Sequence, residues 1–279
     1  MLSYLFDILR GDIKMNERFK KGKDINFAYD FKHPKLIELK EKYHLNLIAQ
    51  GNTTFEKAIR IMHFLAPNLE HNGDYQNQIL CNSLDLMNYS FKKGEKYGIN
   101  CLSKSKILEE CLLSIGIFAR RVSIMPYSPY DRDNHVICEY YDNEMCKWVM
   151  LDPSSDRYYL NSKNIPLGIL EIRKLLANRK TIKTVCLSSV DNLDINKIVP
   201  LKNDSDIYYL AKNFVWFVVS DVHSFGIDNL TYYTLEPVHM NTKDYLHYNG
   251  IYRKNVKTSN TKYTKRENIN VNCFVKAPE

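Results

Sequence analysis

The sequence contains no Cys-x-x-Cys pair, so neither a zinc ribbon nor a thioredoxin-type redox motif can be built from it. It has no EF-hand loop and no dense acidic cluster, and we expect no bound metal and no cofactor. No low-complexity tract or repeat period is visible, which excludes a solenoid and a largely disordered chain. No apolar run approaches the roughly 20 residues that a membrane helix needs. The segment from Met1 to Lys14 is apolar but broken by Asp7, Arg10 and Asp12, and it lacks a small-residue cleavage site, so it makes a poor signal peptide.

What is present suits one large domain or two small ones. The chain has 279 residues, 44% hydrophobic and 25% charged, the balance of an ordinary globular protein. Lys and Arg outnumber Asp and Glu by 39 to 32, a net charge of +7. A nucleic-acid binder concentrates such charge and interleaves it with aromatics. Here the surplus is spread along the chain and densest at the ends, in Lys20-Lys21-Gly22-Lys23 and from Lys262 to Arg266. That is the pattern of a solvated surface, and we expect no nucleic-acid partner. Seven cysteines, an odd number, read as reduced thiols. The expectation is a soluble, cytoplasmic protein with no membrane partner; its oligomeric state is open.

Helical spacing is strongest in three places. Pro34 to Tyr43 forms a short helix. Thr53 or Thr54 caps a second, with Glu56 in its first turn, Ala58, Ile59, Ile61, Met62 and Leu65 on its apolar face, and Pro67 at its end. Cys101 to Ile115 is the clearest helix, with Leu108, Leu112 and Ile115 in line and Gly116 as its stop. The polar stretch from Asn72 to Asn100 holds one helical patch, Leu84 to Met87. Strands follow at Phe118 to Met125, His135 to Tyr141 and Cys146 to Asp152, then a helix near Leu170 to Ala177. Ile207 to Val219 is strongly apolar, and Lys254 to Asn270 is polar and expected to pack loosely. The order of helices before strands suggests an α+β architecture.

A four-residue hairpin loop at Asp142-Asn143-Glu144-Met145 would place Tyr141 opposite Cys146 and His135 opposite Asp152. Opposed residues share a face with Cβ atoms about 5 Å apart, close enough for an imidazole and a carboxylate to bond. The other face would carry Val136, Cys138, Val149 and Leu151, all suited to a core. Cys101 opens its helix after Gly98-Ile99-Asn100. A thiol there feels the positive end of the helix dipole, which favours the thiolate. The first amides of that helix have no intrahelical acceptors and can hold an oxyanion. Cys111, Cys138 and Cys186 fall within apolar runs and read as structural.

At these residues the sequence resembles the transglutaminase-like, or transglutaminase/protease core, superfamily. The motifs are Asn100-Cys101-Leu102 running to Gly116-Ile117-Phe118-Ala119-Arg120-Arg121-Val122, then Asp133-Asn134-His135-Val136, then Trp148-Val149-Met150-Leu151-Asp152-Pro153. The match covers about Thr53 to Asp156. Pro166-Leu167-Gly168 to Leu176 and Lys212-Asn213-Phe214 are similar to bacterial members with a C-terminal extension. The sequence departs from the family at Ile137, where an aromatic is common, and in a glycine one position further ahead of the cysteine than usual. The resemblance implies a papain-like α+β cysteine-enzyme fold with N-terminal helices packed on an antiparallel sheet. It divides the chain into a helical lead-in at 1–50, a transglutaminase-like core at 51–165 and a C-terminal extension packed on that core at 166–279.

It also implies a nucleophile at Cys101, a base at His135 and an orienter at Asp152. Arylamine acetyltransferases share such a triad, but their Arg-Gly-Gly lead-in is missing; peptide N-glycanases carry Cys-x-x-Cys zinc pairs, also missing; papain-like proteases use Asn where this chain has Asp152. The implied chemistry is acyl transfer or hydrolysis at peptide or protein amide bonds through a thioester, with protease or amidase action favoured over transglutaminase. The alternative is a catalytically silent transglutaminase-like binding module.

Overall fold

The computed structural model describes residues 2–131, 133–189, 199–201, 206–227, 231–240, 242 and 265–279. Its helices are α1 (Leu2–Met15), α2 (Pro34–Lys42), α3 (Leu45–Ile48), α4 (Thr54–Leu65), α5 (Ser83–Ser90), α6 (Cys101–Ser114), α7 (Ile169–Ala177), α8 (Asp206–Asn213) and α9 (Val271–Val275). The strands are β1 (Ala28–Tyr29), β2 (Ala119–Met125), β3 (His135–Asp142), β4 (Lys147–Asp152), β5 (Arg157–Leu160), β6 (Lys183–Cys186), β7 (Trp216–Ser220), β8 (Val222–His223), β9 (Thr231–Leu235) and β10 (Lys265–Asn268).

Local chemistry sets the helix starts. Thr53 Oγ1 accepts the Glu56 amide at 3.1 Å to open α4. Asn82 does the same for α5 through Asp85, and Asn100 for α6 through Ser103 at 3.0 Å. Each cap satisfies one of the donors that a helix start leaves without a partner. Gly116 ends α6 with φ of +81°, a conformation that costs a residue with Cβ. The expected apolar face of α4 is fully buried.

One eight-stranded sheet runs in the order β10-β9-β7-β2-β3-β4-β5-β6. It is antiparallel except at one edge, where β10 pairs with β9 in parallel, a departure from the wholly antiparallel sheet expected. A core lies against each face. On one, α6 packs over Ala119, Cys138, Tyr140, Val149 and Leu151, with α2, α4 and α5 around it. On the other, α1, α7 and α8 enclose Val122, Ile124, Ile137 and Met150. The apolar stretch from Ile207 to Val219 divides between α8 and the central strand β7. Of the polar stretch from Lys254 to Asn270, positions 254–264 lie outside the described residues. The rest packs well, with Lys265–Asn268 in the sheet and Ile269 fully buried.

Arg120 clamps the layers together. Its guanidinium bonds Glu139 on the neighbouring strand at 2.7 Å and the Phe274 carbonyl at 2.8 Å. It also stacks 3.9 Å from the Trp148 ring and 4.0 Å from that of Phe274. This desolvated cation satisfies its charge with a carboxylate and its faces with aromatic rings.

The β3–β4 register differs from the one expected. Tyr141 pairs with Trp148 and Asp142 with Lys147, so the four-residue loop is 143–146 and the pairing is displaced by two residues. The cause is turn chemistry. Asp142 stays in the strand while its carboxylate accepts the Met145 amide at 2.8 Å, and Cys146 takes φ of +51°, which removes it from the strand. His135 is therefore not opposite Asp152. Because the displacement is even, both still point to one face.

Candidate active site

Three element ends converge: Cys101 is the first residue of α6, His135 the first of β3 and Asp152 the last of β4. By strand alternation His135 belongs to the face lined by Val122 and Ile124, opposite the one that α6 covers. At the rim of the sheet this does not separate it from the helix, and the imidazole lies close enough to the Cys101 sulfur for the two to interact electrostatically. Ser105, one turn along α6, donates to the Val136 carbonyl at 2.8 Å and ties the helix to the residue beside His135.

The other contact of the imidazole is Nε2 to Asp152 Oδ2 at 2.9 Å. Asp152 Oδ1 accepts the Ser154 amide at 3.0 Å, so the Asp-Pro turn orients the carboxylate. Both side chains are buried, His135 at 6% and Asp152 at 4% exposure, whereas Cys101 is half-buried. Burial opposes charge on His135, but the Asp152 carboxylate, its hydrogen bond and the Cys101 sulfur outweigh it and push the imidazole up to about 10. Burial likewise opposes charge on Asp152, and His135 with the Ser154 and Ser155 contacts holds it below the usual carboxylate value. The pair is an imidazolium and a carboxylate at neutral pH.

With Asn100 holding the Ser103 amide, the amides of Cys101 and Leu102 remain at the helix start with no intrahelical acceptor. They are the donors available to a carbonyl oxygen brought to the sulfur. Among the described residues no group of three or more His, Cys, Asp or Glu side chains is set to hold a metal ion.

Four neighbours were given no place in the site by the sequence reading. Tyr209 of α8 stands edge-on to the His135 ring, 5.5 Å between centroids, and its hydroxyl donates to Asp133 at 3.0 Å. Lys212 bonds the same Asp133 at 2.7 Å, so α8 fixes the loop that leads into His135. His71 lies at the exposed rim, its basicity lowered by burial and by the cations Lys104 and His135. Lys104 is 3% exposed, one turn beyond Cys101. Only the last had a signal in the sequence, its i+3 spacing from the cysteine.

No family model and no curated protein matches the chain. It is similar to the crystal structure of a candidate cysteine protease from Cytophaga hutchinsonii, with 13% identity and a TM-score of 0.34. The similarity covers 60% of this chain and 53% of that one, so the chain spans about half the length of the structure it matches. At that score the likeness carries no argument about chemistry. Among the described residues no helix is long and apolar enough to cross a membrane.

Proposed function

We propose that the chain is a transglutaminase-like thiol enzyme acting on peptide or protein amide bonds, with Cys101 as nucleophile, His135 as proton carrier and Asp152 as orienter. The reading is carried by one observation. A buried imidazole, 2.9 Å from a carboxylate, lies in electrostatic range of a half-buried thiol at a helix start.

The Cys101 thiolate attacks the carbonyl carbon, a C–S bond forms, and the oxyanion is met by the amides of Cys101 and Leu102. The C–N bond breaks as the His135 imidazolium gives its proton to the leaving amine, leaving a thioester. Water, deprotonated by His135, then attacks that thioester. The acid departs, and thiolate and imidazolium are restored. Asp152 stabilises the imidazolium throughout. We favour water as acceptor; an amine acceptor would make an isopeptide bond by the same route.

Iodoacetamide labelling with peptide mapping tests the nucleophile. Cys101 is expected to react first near neutral pH, and more slowly when His135 is replaced by Ala. A glutamine-containing peptide, with and without an added primary amine, then separates hydrolysis from transamidation. Failure of Cys101 to form any adduct would establish the binding-module alternative instead.

A further inference from the structure

We propose that Lys104 is a positioning residue of this site, a second cation that, alongside His135, stabilises negative charge on the Cys101 sulfur. The proposal rests on the reading of Cys101 as nucleophile. Residues three apart on a helix share a face, and each side chain leans toward the helix N-terminus. The Lys104 side chain therefore runs back over the turn that bears Cys101. Its charge is in range of the Cys101 sulfur, of Asp152 at the end of β4, of Asp156 in the turn that follows and of exposed Glu70, and it repels charge on His71.

Its bonding sets it apart from the other lysine in this helix. Lys106 donates to Ser224 O at 3.0 Å and Ile227 O at 3.1 Å and pairs with Glu110 at 3.0 Å. The Lys104 side chain is largely buried, but its ammonium is not among the buried polar atoms left without a partner: it reaches solvent beside Cys101 instead of being tied into the interior as Lys106 is. Burial pushes this ammonium down to about 8, with Asp152, Asp156, Glu70 and the Cys101 sulfur resisting. The cation is present at pH 7 and leaves as pH rises past 8.

The test compares wild type, K104M and K104R. Mapped alkylation of Cys101 is followed from pH 5 to 10 with neutral iodoacetamide, and also with anionic iodoacetate. In K104M the acid limb of the iodoacetamide profile should move up by about one pH unit, slowing the reaction about tenfold along that limb. The iodoacetate-to-iodoacetamide ratio at pH 7 should fall about fivefold. K104R should restore both. Melting temperatures of both variants establish that each is folded under the assay conditions. In wild type the ratio should fall between pH 7 and 9.5, and the loss of that fall in K104M assigns it to Lys104 and not to His135. An unchanged ratio in wild type, a fall that persists in K104M, or an unmoved limb in K104M overturns the role of Lys104 while leaving the nucleophile in place. An inert Cys101 in wild type overturns the nucleophile itself.

Discussion

Two buried charge clusters lie along α6, and they are bonded in opposite ways. The one in the second half of the helix is closed. Glu109 accepts from Lys106 at 3.2 Å, Arg121 at 3.1 Å and His223 at 2.7 Å. Glu110 accepts the Ser83 amide and hydroxyl and the Gly226 amide, all within 2.8 Å. The cluster at the helix start is open. It holds an imidazolium–carboxylate pair, and an ammonium and a thiol that both reach solvent. In a low-dielectric interior a charge is tolerated when every lone pair and proton is used. The closed cluster meets that condition at its carboxylates, Glu109 and Glu110, and joins α6 to α5, β2 and the β8 region. The open one leaves bonding capacity at a half-exposed sulfur, as a reaction site does.

Substitution should separate the two. The largest effect is expected for Asp152→Asn, which keeps the fold and lowers thioester formation by about three to four orders of magnitude, because the imidazolium loses its counter-ion. Single-turnover acylation measures it, and a rate within a few-fold of wild type would dissolve the distinction. Glu109→Gln should invert the pattern. It removes the carboxylate charge that Lys106, Arg121 and His223 share, and unfolding in denaturant should show a loss of about 3–5 kcal/mol. The folded fraction should keep its rate at Cys101. Leu112→Ala, on the same helix but apolar, should cost about 2–5 kcal/mol as a cavity mutation and calibrates the part due to packing alone.

The sequence made the open cluster legible and hid the closed one. Cys101, His135 and Asp152 mark element boundaries, and boundaries leave local signals: Asn100 and Gly116 around α6, Pro153 after β4. The hairpin register was missed by two residues because Asp142 serves at once as strand residue and turn acceptor, which alternation alone does not reveal. The face assignment survived because the error was even. Lys104, Lys106, Glu109 and Glu110 all look solvated in the sequence, yet all four are buried. The two glutamates are bonded by Ser83, Arg121, His223 and Gly226, and Lys106 by the Ser224 and Ile227 carbonyls, which only the tertiary fold brings to α6. Tyr209 reaches His135 for the same reason, and no local pattern announces it.

The smallest expected effect is a difference in slope, and it bears directly on the comparison. Each cluster holds one buried histidine. His135 is raised above its ordinary value of 6.5 to about 10, against burial, by Asp152 and Cys101. His223 is lowered below 6.5, by burial first and by the cations Arg120 and Lys106, despite its bond to Glu109. Its Nε2 has no partner, which fits a neutral ring donating from Nδ1 to Glu109; a proton on Nε2 would be buried without an acceptor. The native state thus binds a proton at His135 that the unfolded chain releases near pH 6.5. That stabilisation is complete below 6.5 and is lost as pH rises toward about 10. At His223 the unfolded chain takes a proton that the native state refuses. Its stabilisation is complete above 6.5 and is lost as pH falls below it. Thermal melts of wild type, H135Q and H223Q between pH 5.5 and 9.5 should show two opposite trends. The gap between wild type and H135Q should narrow toward alkaline pH, and the gap between wild type and H223Q should narrow toward acid. Gaps that run parallel across this range would mean that both rings are held in the same protonation state, and the two clusters would then differ in bonding but not in charge.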